Sequence, residues 1–212
     1  MPLYKTITID DSTNVLIWKI EESFETLSKE ISLTKYSQDR IDNMKSDIHR
    51  RGFLSVRHLL AACGYTDEDL FYDDFGKPHL QDQRQISITH SFEYAAIIIS
   101  DKKVGIDIEK QREKIERIAH KFTDGIESKF VESNDKLKVR TLTVIWGAKE
   151  SLYKLYATPG LSFEQHIHIP PFDLNLPFAH GIVNYEEVIT YYEIAFIEFD
   201  GYTCVYALPY TG

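Results

Sequence analysis

The sequence predicts an α+β protein made of two α+β subdomains, and three observations carry that prediction. Alternating apolar strands occur in both halves, each half holds one long helix, and the turn-forming run Ser100-Asp101-Lys102-Lys103 lies between them. A length of 212 residues allows one large domain or two small ones, and the boundary falls near Asp101–Lys103, giving subdomains of residues 1–101 and 102–212. With 43% hydrophobic and 27% charged residues, the chain buries a core and is not a disordered polymer.

The elements follow in order. Thr6 to Trp18 reads as a hairpin, because Ile7 and Ile9 alternate on one side of Asp10-Asp11-Ser12-Thr13-Asn14 and Val15 and Ile17 on the other. Phe24 to Ile31 reads as a short helix. A longer helix is predicted from about Asp39 to Cys63, with Met44, Ile48, Leu54, Val56, Leu59 and Leu60 as its apolar positions and Gly64 just past its end. Residues 67–85 are polar, with Gly76 and Pro78 as punctuation, and read as a loop with one short strand at most. Strands are predicted at Ile86–Thr89, Tyr94–Ile99 and Val104–Ile108, then helices at Glu113–Lys121, Glu127–Glu132 and Lys136–Tyr156. The remainder reads as strands at Gln165–Ile169, Ile182–Asn184, Val188–Phe199 and Thr203–Leu208.

Composition narrows the function classes. The longest wholly apolar run, Tyr94 to Ile99, falls far short of the ~20 residues that span a bilayer. The N-terminal stretch alternates and gives no secretory signal, so neither a membrane nor export is expected. Cys63 and Cys204 are far apart and suit a reducing, cytoplasmic setting. A net charge of −9 argues against nucleic acid as a partner. That charge is uneven. No Lys or Arg follows Lys154, and residues 155–212 hold seven acids, so the tail carries −7. The first 154 residues set 24 bases against 26 acids, and any anion-binding function belongs there.

Four constellations could carry chemistry. In Val104-Gly105-Ile106-Asp107-Ile108-Glu109 a strand puts Asp107 and Glu109 on one face, which suits either a shared hard cation or a solvated sheet edge. In Trp146-Gly147-Ala148-Lys149-Glu150-Ser151-Leu152-Tyr153-Lys154 a helix aligns Trp146, Glu150 and Lys154 along one face. They could hold a metal and a phosphate side by side, or form a surface ion pair beside a core Trp. Gly76-Lys77-Pro78 and Thr89-His90-Ser91 offer a close backbone approach, a point charge and donors for a phosphate, or are simply a turn and a strand end. His49, Arg50, Arg51, Arg57 and His58 form a basic run on the first long helix. His166 and His168 lack a third ligand nearby and read as structural, and the tyrosines of the tail read as half-buried sheet rather than a base-stacking surface.

Taken in order, these pieces make a pattern. From about Arg50 to Leu161 the chain resembles the 4′-phosphopantetheinyl transferases of the larger, surfactin-synthetase-activating type. Gly105-Ile106-Asp107-Ile108-Glu109 and Trp146-x-x-Lys149-Glu150-Ser151-x-x-Lys154 are the specific motifs. The resemblance implies two similar subdomains in a pseudo-twofold arrangement within one chain, and a monomer. It implies transfer of the phosphopantetheine arm of coenzyme A to a serine of an apo carrier protein, with release of adenosine 3′,5′-bisphosphate. Asp107, Glu109 and Glu150 would bind Mg²⁺ with the diphosphate of coenzyme A, and Lys154 would contact that diphosphate. His90 with Thr89 and Arg57 would hold the 3′-phosphate, Arg51 would add to it, and Gly76, Lys77 and Pro78 would line the adenine end. Glu150 or Glu127 would take the serine proton. Carrier proteins are acidic, so docking is expected at the basic helix from Arg50 to His58. The alternative is a non-catalytic module of the same fold that binds coenzyme A or a carrier.

Three departures from the family pattern stand out. Thr89 replaces a usual Ser, the spacing from Phe122 to Glu127 is one residue longer, and Thr158-Pro159-Gly160-Leu161 keeps only the second of two glycines.

Overall fold

The computed structural model describes residues 3–133 and 137–210. They divide into two compact units, Met1–Lys102 and Lys103–Gly212. In the first unit, β1 (Leu3–Thr8) and β2 (Asn14–Lys19) form the hairpin the alternation predicts. Its turn is closed by Asp10, whose carboxylate accepts from the Ser12 backbone and hydroxyl. Three helices follow: α1 (Phe24–Ser28), α2 (Lys35–Asp42) and α3 (Asp47–Ala62). After a small ribbon of β3 (Leu70–Tyr72) and β4 (Pro78–Leu80) come β5 (Gln85–Ser91) and β6 (Tyr94–Ser100). The antiparallel sheet runs β1-β2-β6-β5, with α3 packed on it. Leu54, Leu59 and Leu60 of α3 share a core with Leu16, Trp18 and Ile97 of the sheet.

The second unit opens with β7 (Gly105–Lys110), then α4 (Gly125–Glu132) and α5 (Lys138–Tyr156). Four strands complete it: β8 (Ile167–His168), β9 (Phe178–Tyr185), β10 (Val188–Phe199) and β11 (Tyr202–Pro209). Their order is β7-β11-β10-β9-β8, and Leu142, Ile145, Ala148 and Leu152 of α5 fill the core beside Val183, Ile194 and Val205.

One topology recurs. In each unit a strand leads into the long helix, and the last strand of a following hairpin returns between that first strand and its hairpin mate. The orders are β2-β6-β5 and β7-β11-β10, antiparallel throughout. The two halves are similar α+β folds in this connectivity.

Several elements differ from their predicted extents. The helix expected over Asp39–Cys63 is two helices. Asn43 ends α2, its side chain donating to the Asp39 carbonyl, and Asp47 starts α3, so residues 43–46 form a corner. The C-terminus of α3 is a Schellman motif: Tyr65 N–H donates to Leu60 O and Gly64 N–H to Ala61 O, with Gly64 at φ +84°. The helix expected to Ile31 stops at Ser28. Glu113–Lys121 forms two 3₁₀ turns, which align Ile115 and Ile118 toward the core. The acidic loop 67–85 holds two short paired strands, and Gln165–Ile169 shortens to β8. Lys136, the expected start of the last helix, lies outside the described residues. Among the described residues no helix is long and apolar enough to cross a membrane.

Candidate active site

The site of the second unit begins with two glycines. A Cβ on Gly105 would lie 1.8 Å from the Ser151 carbonyl oxygen, and one on Gly147 would lie 2.6 Å from Val205 Cγ2. Only bare backbone lets α5 settle this close to β7 and β11, and the Ser151 hydroxyl then donates to Val205 O at 3.0 Å. The strand's alternation turns Asp107 toward the helix, with Ile106 and Ile108 buried on the opposite face.

The approach brings Lys154 Nζ to 2.8 Å from Asp107 Oδ1 and 2.9 Å from Ile106 O. Glu150 lies one helical turn before Lys154. Its carboxyl is pushed up to about 7, first by burial, then by the negative charge of Asp107, with Glu109 adding and Lys154 opposing. Asp107, Glu109, Glu150 and Lys154 thus feel one another's charge. Beside them a cleft of about 180 Å³ is lined by Glu109, Lys110, Arg112, Lys114, Ile115, Ile118 and Trp146. Trp146 is fixed edge-on against Phe122 and Phe163.

Among the described residues, no three His, Cys, Asp or Glu side chains are gathered closely enough to hold a metal ion unaided. The expected triad of Asp107, Glu109 and Glu150 is therefore not a ready cage, and Asp107 Oδ1 already takes Lys154. The donor chemistry nevertheless fits a hard divalent cation. Burial and the charges of Asp107 and Glu109 together raise the Glu150 carboxyl, so a cation at this point would relieve the crowding of negative charge. Mg²⁺ characteristically takes only one or two carboxylates and completes its shell with water and substrate phosphate.

Glu127 does not stand at this cluster as a free base. It is buried, with Oε2 2.8 Å from Lys149 Nζ. Its carboxylate also accepts from the backbone N–H of Asp124 and of Ile169, each at 2.8 Å. With Asp124 it forms the capping box of α4. Burial pushes the Glu127 carboxyl up and the Lys149 ammonium down, and the attraction between them opposes both shifts. Lys149 also donates to Phe163 O at 2.8 Å. Every polar group of this pair is used in holding α4, α5 and the following loop together. His166 and His168 are likewise structural: His166 Nδ1 accepts from Ser162 N, and His168 Nδ1 meets Asp124 Oδ2 at 2.8 Å.

In the first unit Arg57 departs most from expectation. Its guanidinium is buried, 2.8 Å from Asp67 Oδ1, bonded to Ser37 Oγ and lying 3.5 Å from the centre of the Phe53 ring. It cannot reach a phosphate without breaking that network. Nor does the rest of the basic helix present a free cationic face. Arg50 lies over Phe24, Arg51 Nε bonds Asp47, and His58 Nε2 meets Leu27 O while its ring stacks on Trp18. Among the predicted phosphate holders, Thr89 is buried in β5 and His90 is exposed, its imidazole against Gly52 of α3 and 6.0 Å from the ring of His49. Gly76, Lys77 and Pro78 close the β3–β4 ribbon. Gly76 sits at φ +80°, and Asp73 accepts from the N–H of Phe75 and Lys77.

Sequence reasoning missed Asp67 and Lys149, the partners of Arg57 and Glu127. The signal was present. Arg57 follows Phe53 by four residues and precedes Leu60 by three, and Lys149 sits likewise between Ile145 and Leu152. Both charges occupy inward positions of a helix, where a counter-charge must be found.

The fold and this cluster define an α+β protein whose second unit gathers three acids and a lysine at one strand–helix contact. Residues 103–203 match the family model of the 4′-phosphopantetheinyl transferase superfamily. A curated relative, the 4′-phosphopantetheinyl transferase gsp of Aneurinibacillus migulanus, is 28% identical over 191 residues, which cover 85% of this chain and 77% of the relative. A solved structure, the holo-[acyl-carrier-protein] synthase of Thermotoga maritima, is matched over 50% of this chain and 62% of that one, at 16% identity and a TM-score of 0.42. The chain thus spans less than two thirds of that structure. The second unit thus matches the 4′-phosphopantetheinyl transferase superfamily over residues 103–203, and the chain is similar over most of its length to a curated 4′-phosphopantetheinyl transferase.

Proposed function

We propose that this chain transfers the 4′-phosphopantetheine arm of coenzyme A to a serine of an apo carrier protein. The observation that carries the proposal is the coupling of Asp107, Glu109, Glu150 and Lys154 at the α5–β7 contact, inside the segment that matches the family. In the reaction the serine oxygen forms a bond to the phosphorus on the pantetheine side of the diphosphate. The bond from that phosphorus to the bridging oxygen breaks, and adenosine 3′,5′-bisphosphate leaves.

Lys154, oriented by Asp107, supplies a fixed positive charge for the diphosphate. Glu150, one helical turn before Lys154 and beside the diphosphate site, is the candidate base for the serine proton. Mg²⁺, held by one or two carboxylates drawn from Asp107, Glu109 and Glu150 and completed by water and phosphate oxygens, would supply neutralisation of the charge that develops on the leaving group. On the nucleotide side, His90 is the best remaining contact for the 3′-phosphate, with Arg51 and the Gly76-Lys77-Pro78 turn as further candidates. The cationic cleft of Lys110, Arg112 and Lys114 replaces the α3 helix as the docking region proposed for an acidic carrier. The proposal includes a monomer acting in the cytoplasm, a setting supported by two free cysteines.

The test is incubation with coenzyme A, Mg²⁺ and a panel of apo carrier proteins, read by intact mass. A carrier gaining one phosphopantetheine group is the expected result. No gain on any carrier, with coenzyme A still bound, would support a binding module instead.

A further inference from the structure

The sheet of the second unit has two unlike faces. Ala179, Val183, Tyr192, Ile194 and Phe196 point into the core, so alternate residues on β9 and β10 point outward. The outward positions of a one-sided antiparallel sheet are normally polar. Here they include Phe178, Ile189 and Tyr191, exposed by 52%, 54% and 59%. Tyr191 pairs across the strands with Ile182, and on its other side its carbonyl accepts from the N–H of Tyr210, itself 54% exposed. Asn184, opposite Ile189, and His180, opposite Glu193 and edge-on to Tyr210, share this face, and an exposed surface so rich in apolar side chains marks a contact.

Charge says what kind of contact. Glu193 stands within the face, and the tip of the hairpin is Glu186-Glu187. Both tip residues hold left-handed backbone, at φ +49° and +66°, where Asn-Gly is the favoured pair. Two glutamates thus occupy a turn whose backbone disfavours them. No Lys or Arg follows Lys154, so the segment that builds this face carries seven acids against the histidines His166, His168 and His180, the last of them on the face itself.

We propose that the outer face of β9 and β10 docks a polypeptide partner that presents an apolar segment flanked by Lys or Arg. Such a partner buries the aromatic face and pairs with the rim glutamates. A second copy would set the same acids against one another. Anionic lipid, nucleic acid and an acidic carrier are all repelled. The inference is independent of the transferase reading, and none of its residues belongs to the acid–lysine cluster.

The experiment uses the full chain and a short synthetic peptide alternating leucine and lysine, with a leucine–glutamate peptide as control. Binding is measured by titration calorimetry. Two variants separate the terms: Glu186→Asn with Glu187→Gly removes the charge and suits the turn, and Tyr191→Thr removes the aromatic ring while keeping strand propensity. The basic peptide is expected to bind the native chain and to bind each variant about tenfold more weakly. The Asn-Gly variant should melt no lower than the native chain, and both should retain transferase activity. Equal affinity for native chain and variants, no binding of the basic peptide, or preference for the acidic one would each overturn the proposal. So would a dimer in sedimentation that Tyr191→Thr dissolves, since the occupant would then be a second copy.

Discussion

Glu150 and Lys154 stand one turn apart on α5, and both act on Asp107 across the contact with β7. Their opposition gives a signed prediction. Without metal, Glu150 has its folded value raised from 4.5 to about 7, so the native state holds a proton that the unfolded state releases. Stability should therefore fall as pH rises through that window, and Glu150→Gln should flatten the slope. Added Mg²⁺ favours the ionised acid and should raise the melting midpoint more at the upper end of the window than at the lower. Thermal melts across pH, with chelator and with Mg²⁺, check both statements. Asp107→Asn removes the group that orients Lys154 and should lower turnover by about 10²-fold or more in a chain that still folds, measured as transfer to a carrier. Arg57 yields the opposite signature. Arg57→Ala leaves Asp67 buried without its counter-charge and should cost about 3–5 kcal/mol in denaturant unfolding. The KM for coenzyme A in the folded fraction should stay unchanged. A sequence shows that an arginine is present; whether it faces solvent or Phe53 depends on the helix face, and here the apolar neighbours at positions 53 and 60 already told which.

At the scale of elements, most of the strands were legible because alternation of buried and exposed residues is a local property of the chain. The corner at residues 43–46 was not, since the apolar pattern runs across it and only the cap at Asn43 marks it. The motif glycines show why a pattern can be read before its reason is known. Gly105 and Gly147 set the distance at which Lys154 meets Asp107. Gly105→Ala would force α5 off β7 and should cost about 3 kcal/mol or more, with activity falling alongside the unfolding midpoint. The Glu127–Lys149 pair makes a second element-scale case, tying α4 to α5. Lys149→Met strands a buried carboxylate and should cost about 3 kcal/mol. Adding Glu127→Gln in that background should return part of the loss, because the uncompensated charge is gone. Denaturant unfolding of the single and double variants measures the recovery, and transfer activity in the folded double variant would show that Glu127 positions helices without taking a proton.

The whole molecule carries one tryptophan in each unit, Trp18 buried in the first core and Trp146 beside the acid–lysine cluster of the second. Two units with separate cores and oppositely shifted acids need not share one pH dependence. In the first unit burial alone would raise the Asp67 carboxyl. The hydrogen bonds from Thr34 and Ser37 and the charge of Arg57 outweigh it and hold the group below its usual 3.8. A depressed carboxyl stabilises the fold fully above its unfolded value and loses that contribution as pH falls through the folded one. The raised Glu150 of the second unit works the other way, adding stability as pH falls from about 7 to 4.5. Metal-free protein acidified from neutral should therefore first become more resistant to denaturant as reported by Trp146, in a Trp18→Phe variant. The Trp18 signal, read in a Trp146→Phe variant, should hold over that range and then drop below 3.8. Asp67→Asn should lower the neutral plateau of the Trp18 signal and flatten its acid drop, leaving the Trp146 rise in place. A single shared pH profile for both fluorophores would instead mean that the ionisations of Asp67 and Glu150 are felt equally by both units.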